Sequence, residues 1–207
     1  MKIVALSDTH GQHRTMKNLP DGDVLVFAGD MGVHGTMPEL QDFATWFADF
    51  PHEHKIMIAG NHDFCFDHTR QKEDCRELLE EKGIIYLEEE TVTIEGVKFY
   101  GSPFSNTFDQ YVFCQGFGDI PEDTDVLLTH GPPEGRNDYL EDYGHIGSEE
   151  LREEVDEFVC PRAHIYGHVH EQHGNSEDGV DSFNVSVTDV DYNRVFKPVV
   201  FEVETPQ

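Results

Sequence analysis

Positive charge is what this chain has least of. Fourteen lysines and arginines stand against 42 aspartates and glutamates, giving a formal net charge of -28. Binding to long DNA or RNA depends on Lys and Arg neutralising phosphates, so this balance argues against an extended nucleic acid as partner. Cysteine is scarce as well: Cys65, Cys75, Cys114 and Cys160 lie far apart with no CxxC spacing. That favours buried free thiols over a disulfide framework or a zinc knuckle. Long apolar runs are missing. Ile3-Val4-Ala5-Leu6 is broken at Ser7-Asp8, too early for a signal peptide or a membrane span. With a mean hydropathy of -0.53, a soluble, cytoplasmic protein with no membrane partner is expected. Neither repeats, nor a linker, nor low-complexity segments divide residues 1–207, so one domain over 1–207 is expected.

What is present is a series of short apolar strands. Lys2 to Leu6, Asp23 to Ala28 and Lys55 to Ala59 are continuous apolar runs that suit strands covered on both faces of an α/β sheet. Between the second and third, Pro38 opens a helical pattern through Leu40, Phe43, Ala44, Phe47 and Phe50. Arg70 to Lys82 reads as another helix, ended by Gly83. From Ile84 to Phe104 short β-rich runs separated by Glu-rich turns predict antiparallel strands and hairpins, and Asn106 to Thr124 reads as a long loop. Val126 to Thr129 and Ala163 to Tyr166 are further strands, with a helix predicted over Ser148 to Val159 and capped by Ser148. Phe183 to Val185 and Pro198 to Val203 read as closing strands.

Five of these strands run into a turn carrying Asp, Asn or His. The turns are Asp8-x-His10, Gly29-Asp30, Gly60-Asn61-His62-Asp63, Thr129-His130 and Gly167-His168-x-His170. In open α/β sheets ligands bind beyond the carboxyl ends of the strands, so the five turns can converge. The assembled donors are carboxylates, imidazoles and one amide. This mixed oxygen and nitrogen set suits Mn²⁺, Fe or Zn²⁺ better than Mg²⁺, and it holds more ligands than one ion needs. Two ions about 3.5–4 Å apart, sharing a carboxylate, would use them all. Ordinary turn chemistry explains any one of Asp8, Asp30 and Asn61. It does not explain His10, His62, His130, His168 and His170 arriving at the same kind of position. His13 and His34 lie near the turns but read singly as surface histidines, and His52, His54, His68, His145, His164 and His173 lack the strand-turn context.

The order D-x-H, G-D, G-N-H-D, H, G-H-x-H, spread from residue 8 to residue 170, resembles the calcineurin-like metallophosphoesterase superfamily. Stretches such as IAGNH, YGSP at Tyr100 to Pro103, THGPP at Thr129 to Pro133 and GHVHEQHG are similar to its small metallophosphoesterase-domain branch, the one with vertebrate brain proteins. The resemblance implies a four-layer α-β-β-α sandwich of two mixed sheets flanked by helices. It places Asp8, His10, Asp30 and His170 around a first metal, and Asp30, Asn61, His130 and His168 around a second, with Asp30 bridging. Two divalent ions, Mn²⁺ first among the candidates, would activate a bound water or hydroxide. Catalysis would fall to His62, donating to the leaving alkoxide, and to Asn61, which would touch the phosphate as well as a metal.

One departure narrows the substrate. Protein phosphatases of the superfamily continue the second block to G-D-x-x-D-R-G, whereas this chain reads Gly29-Asp30-Met31-Gly32-Val33-His34-Gly35. Without that Asp and Arg, a phosphodiester, carrying less charge, fits better than a phosphoprotein. Small cyclic or linear nucleotides are the substrate the branch implies. Arg136 joins Asn61 and His62 as an expected substrate contact, and the aromatic stretch from Phe104 to Phe113 could hold a base or sugar. The alternatives are a phosphomonoesterase or nuclease of the same superfamily, or a weakly catalytic nucleotide-binding scaffold.

Overall fold

The computed structural model describes residues 1–67, 71–105, 116–176 and 178–206. His68, Arg70, Cys114 and the greater part of the loop expected from Asn106 lie outside the described residues. The elements run β1 (Lys2–Leu6), β2 (Val24–Ala28), α1 (Met37–Ala48), β3 (His54–Ile58), α2 (Gln71–Glu81), β4 (Ile85–Tyr86), β5 (Glu90–Ile94), β6 (Val97–Ser102) and β7 (Val126–Thr129). They continue with β8 (Tyr139–Leu140), β9 (Gly144–His145), α3 (Glu149–Glu153), β10 (Ala163–Tyr166), β11 (Gly174–Ser176), β12 (Asp181–Asn184) and β13 (Val199–Glu202).

Two large mixed sheets form. One has the order β13-β1-β2-β3-β4, parallel except for β13; the other has the order β11-β12-β10-β7-β6-β5, with β11 and β5 antiparallel at its edges. Side chains alternate across a strand, so the two faces of each sheet can be read from single residues. Ile3, Ala5, Val24, Val26, Ile56 and Ile58 share one cluster with Phe99, Val126, Leu128 and Ile165 of the opposite sheet. Val4, Leu6, Leu25, Phe27 and Met57 turn the other way, onto Leu40, Phe43 and Phe47 of α1 and Cys75 and Leu79 of α2. On the far side Leu127 packs with Leu151, Val155 and Val159. The layers are therefore helix, sheet, sheet, helix, the arrangement expected.

The α1 helix begins where the sequence places its signals. The Thr36 hydroxyl accepts from the Glu39 N–H at 3.4 Å, and the Glu39 carboxylate accepts from the Thr36 N–H at 2.8 Å, a capping box with Pro38 in the first turn. Three expectations change. Ile85–Tyr86 does not form a hairpin but pairs parallel to β3, because α2 returns the chain beside that strand. The predicted helix over Ser148 to Val159 is α-helical only to Glu153 and then widens to a π-helix through Val159, closed by Cys160 at φ 46°. Val155 and Val159 face the core in that wider turn, and Phe158 between them is exposed. Finally, Cys65 and Cys75 are buried thiols as expected, but Cys160 at the π-helix end is exposed.

Candidate metal centre

At the carboxyl edge the two sheets are stitched together. The Ser7 N–H donates to the Val185 carbonyl at 3.0 Å and the Ser7 carbonyl accepts from Val187 at 3.1 Å. The turn after β1 lies on the turn after β2: Asp8 N–H donates to Gly29 and His10 N–H to Asp30. Asp8, His10, Asp30 and His168 all have positive φ, at 55°, 40°, 61° and 68°. Asp and His tolerate this left-handed region better than most residues, but each instance still costs of order 1–3 kcal/mol and is held in place by its surroundings.

Three glycines make the close approach possible. A Cβ on Gly29 would overlap His130 Nδ1, one on Gly60 would overlap Asp30 Oδ1, and one on Gly167 would overlap Asp8 Oδ2 and Ser7 Oγ.

The strand-end residues assemble as two donor groups. Asp8, His10 and His170 offer atoms that all lie within 4.8 Å of one another, and Asp30, His130 and His168 do the same. Asp30 lies between them: its Oδ2 is 3.7 Å from His10 Nε2 and 3.3 Å from His130 Nε2. Asn61 Oδ1 is 2.9 Å from His130 Nε2, which adds the amide to the second group. In the first group His170 Nε2 is 3.2 Å from His10 Nε2 and 3.5 Å from Asp8 Oδ1.

The hydrogen bonds behind these atoms fix which way they face. His130 Nδ1 donates to the Ala28 carbonyl at 2.8 Å, and His170 Nδ1 donates to the Asp189 carbonyl at 3.0 Å. Each ring thereby turns its other nitrogen, a lone pair in the neutral imidazole, toward carboxylate oxygens. Acceptors facing acceptors in a buried place require positive charge between them, and divalent cations with mixed oxygen and nitrogen ligands fit that requirement.

Without a cation, protons on the imidazoles relieve the same crowding of acceptors. Burial pushes the Asp8 carboxyl up, but the His170 hydrogen bond and the neighbouring imidazoles outweigh it and hold the group at about 2. Asp30 is likewise lowered, with His130 overcoming burial. Burial lowers His130, yet Asp30 and Asp8 raise it to about 10, while burial and His130 together push His168 down to about 4.

Three supporting groups gave little sequence signal. Asp63, which adjacency to His62 alone could not assign, is buried and accepts backbone N–H bonds from Asp30 (2.9 Å), Met31 (3.0 Å) and Gly60 (2.9 Å). Its carboxylate ties the second turn to the third. His62 itself is oriented by the Val33 carbonyl, which accepts from Nδ1 at 3.1 Å, and its ring stands edge-on to His10 at 5.1 Å. The third group, the Asp189 carbonyl behind His170, comes from the tail, where only the turn-forming run Asp189-Val190-Asp191-Tyr192-Asn193 could have marked it.

Arg136 requires a correction. Expected to meet substrate, it is fully buried, and its guanidinium binds Asp156 at 2.7 Å and the Asp178 carbonyl. A charge this far from water must be paired, and the partners lie in the π-helix and the 178 loop, so Arg136 fastens that side of the fold. His13 is also packed inward, against Phe43 and Trp46 with Asp42 on Nε2, whereas His34 is exposed.

Carboxylates and imidazoles on the ends of strands from two facing sheets define a metallohydrolase class of site. The calcineurin-like phosphoesterase family model matches residues 1–172, and the chain belongs to that family of metal-dependent hydrolases acting on phosphoester bonds. Metallophosphoesterase domain-containing protein 1 of Homo sapiens is 34% identical over all of this chain and 72% of its own length. A UPF0046 protein of Caenorhabditis elegans is 36% identical over 98% of this chain and 75% of its own. These relatives belong to the branch that the IAGNH, YGSP and THGPP stretches resemble. Among solved structures, phosphopantetheinyl hydrolase of Mycobacterium tuberculosis shares the fold with a TM-score of 0.62 at 15% identity, over 92% of this chain and 90% of that one. None of the described helices is long and apolar enough to cross a membrane.

Proposed function

We propose that this protein is a two-metal phosphodiesterase acting on small cyclic or linear nucleotides, with Mn²⁺ as the preferred ion. The observation that carries the reading is Asp30 Oδ2, within 3.7 Å of a donor in one group and 3.3 Å of a donor in the other. A carboxylate so placed is suited to bridge two cations. Asp8, His10, Asp30 and His170 would hold the first, and Asp30, Asn61, His130 and His168 the second. Bound there, such a pair supplies an activated water at neutral pH and neutralises charge on the phosphoryl oxygens.

The chain's own groups do the rest. Asn61 donates its amide N–H to a phosphoryl oxygen while its Oδ1 serves the second site. The Val33 carbonyl fixes the His62 ring, so a proton on Nε2 can pass to the leaving alkoxide. Diesters are favoured over monoesters because the cationic clamp is thin. The Asp and Arg of protein phosphatases are missing after Asp30, and Arg136 is committed to Asp156. The net charge of -28 disfavours long nucleic acids.

The test is a panel of phosphomonoesters, cyclic nucleotides and dinucleotides offered to the Mn²⁺-loaded protein. Hydrolysis is expected to favour diesters, to stop on chelation, and to fall at least about 10²-fold in Asp30→Asn through loss of the shared ligand. A clear preference for monoesters rejects the diesterase reading.

A further inference from the structure

Tyr192 is held with unusual care for a half-exposed residue. Its φ is 60°, in the left-handed region, in a turn built on Asp189. The Asp189 carboxylate accepts N–H bonds from Asp191 at 3.0 Å and Asn193 at 2.8 Å, and its carbonyl accepts from Tyr192 at 2.9 Å. That same carbonyl receives His170 Nδ1. From the first metal turn, the Gln12 amide donates to the Tyr192 carbonyl. The ring so placed stands edge-to-face with His10 at 4.6 Å and 90°, and with His170 at 5.3 Å and 88°.

Packing alone does not account for this. An aromatic ring placed to fill a core is buried, yet Tyr192 keeps 45% of its surface in solvent beside the buried His10 and the partly buried His170. Strain retained at the mouth of a site points to function. Val33, whose carbonyl orients His62, and Val190, two residues before Tyr192, are exposed apolar side chains as well. Residues 189–193 also lie beyond the 1–172 segment that matches the family model, so this wall is supplied by the chain's own tail.

We propose that Tyr192 is a specificity-determining residue: its ring receives a flat, unsaturated substituent on the phosphorus group held at the adjoining donors. The inference rests on the phosphoesterase reading and deepens it, since a nucleobase or aryl ester is preferred over an alkyl one. A π-face accepts any such ring, so selection is for flatness rather than for one base.

The test uses two inert anions with the same head, phenylphosphonate and methylphosphonate, titrated calorimetrically into the Mn²⁺-loaded protein. The wild type is expected to bind the phenyl compound about tenfold more tightly. Tyr192→Phe should keep that preference, and Tyr192→Leu should reduce it to about twofold, with thermal melting run alongside to show that both variants fold. An unchanged preference in Tyr192→Leu overturns the proposal, as does failure of that variant to bind Mn²⁺, which would make Tyr192 only a support for His10 and His170. If neither anion binds the wild type, the two-metal phosphodiesterase reading falls, and this inference with it. Binding of both with equal affinity removes only the role of Tyr192.

Discussion

Asp63 carries three backbone N–H groups on one carboxylate and touches no substrate in the proposed arrangement. Its removal by Asp63→Ala would leave those donors unpaired in the interior, at about 1–3 kcal/mol each. The expected result is a lower urea midpoint together with a Mn²⁺ affinity weakened by roughly 10–100-fold, as for other residues that orient metal ligands. Asp63→Asn, which keeps one acceptor, should fall between the two in both measurements. Full metal affinity in a destabilised Asp63→Ala would show that the turn keeps its shape unaided.

His164 is the other residue whose burial makes a measurable statement. Its Nε2 donates to Thr129 Oγ1 at 2.8 Å, and burial, then Arg136, push it from 6.5 down to about 3. A folded-state value below the unfolded one means that stability is complete above pH 6.5 and is lost as the pH falls from there through about 3. The loss approaches 1.4 kcal/mol per pH unit, or about one proton. Urea unfolding at several pH values should show a shallower acid slope in His164→Gln than in the wild type. Equal slopes would mean that His164 protonates without opening the fold.

At the scale of elements, the informative unit is a strand plus the glycine that closes it. Asp8, Asp30, Asn61, His130 and His168 were legible because each follows directly on a run of buried residues, where the alternation of a covered strand stops abruptly. Such a junction is local, and local patterns survive in a sequence. The groups that escaped notice depend on distant pairing. Nothing near residue 192 reveals that its ring meets His10, and nothing near Arg136 reveals Asp156, because those meetings are created by the packing of whole elements. The widening of the helix after Glu153 was equally hidden, since Leu151, Val155 and Val159 fit an ordinary helical spacing as well.

The glycines offer the sharpest element-level prediction. In Gly60→Ala the new methyl would overlap Asp30 Oδ1, the Asp30 backbone nitrogen and His130 Cε1, so both the turn and two donors would have to shift. Metal-dependent hydrolysis should fall below detection and calorimetry should register weakened binding of both ions, since Asp30 is proposed to serve both. Gly116→Ala, where the added atom meets nothing within 4 Å, is the matched control and should behave as wild type. Ordinary activity in Gly60→Ala would mean that the second and third turns can separate without loss.

On the scale of the whole molecule, the donors divide by sheet. Asp8, Asp30 and Asn61 stand at the ends of β1, β2 and β3, and His130, His168 and His170 at the ends of β7 and β10. The first sheet thus supplies the carboxylates and the amide, while the second supplies imidazoles, with His10 the exception. This division was visible in the order of motifs, but that the two halves belong to different sheets was not, because an apolar strand does not announce its partner. Nor does the sequence show that β13, at the far end of the chain, closes the first sheet by pairing with β1.

The stitch at Ser7, which hydrogen-bonds across to Val185 and Val187, has a consequence for how the protein is made. A chain emerging from the ribosome would display Asp8 and His10 long before their counterparts exist, and the tail behind His170 arrives later still. Capture of an ion is therefore a late event in biogenesis, and acquisition of metal would report completion of the native topology rather than guide its early steps.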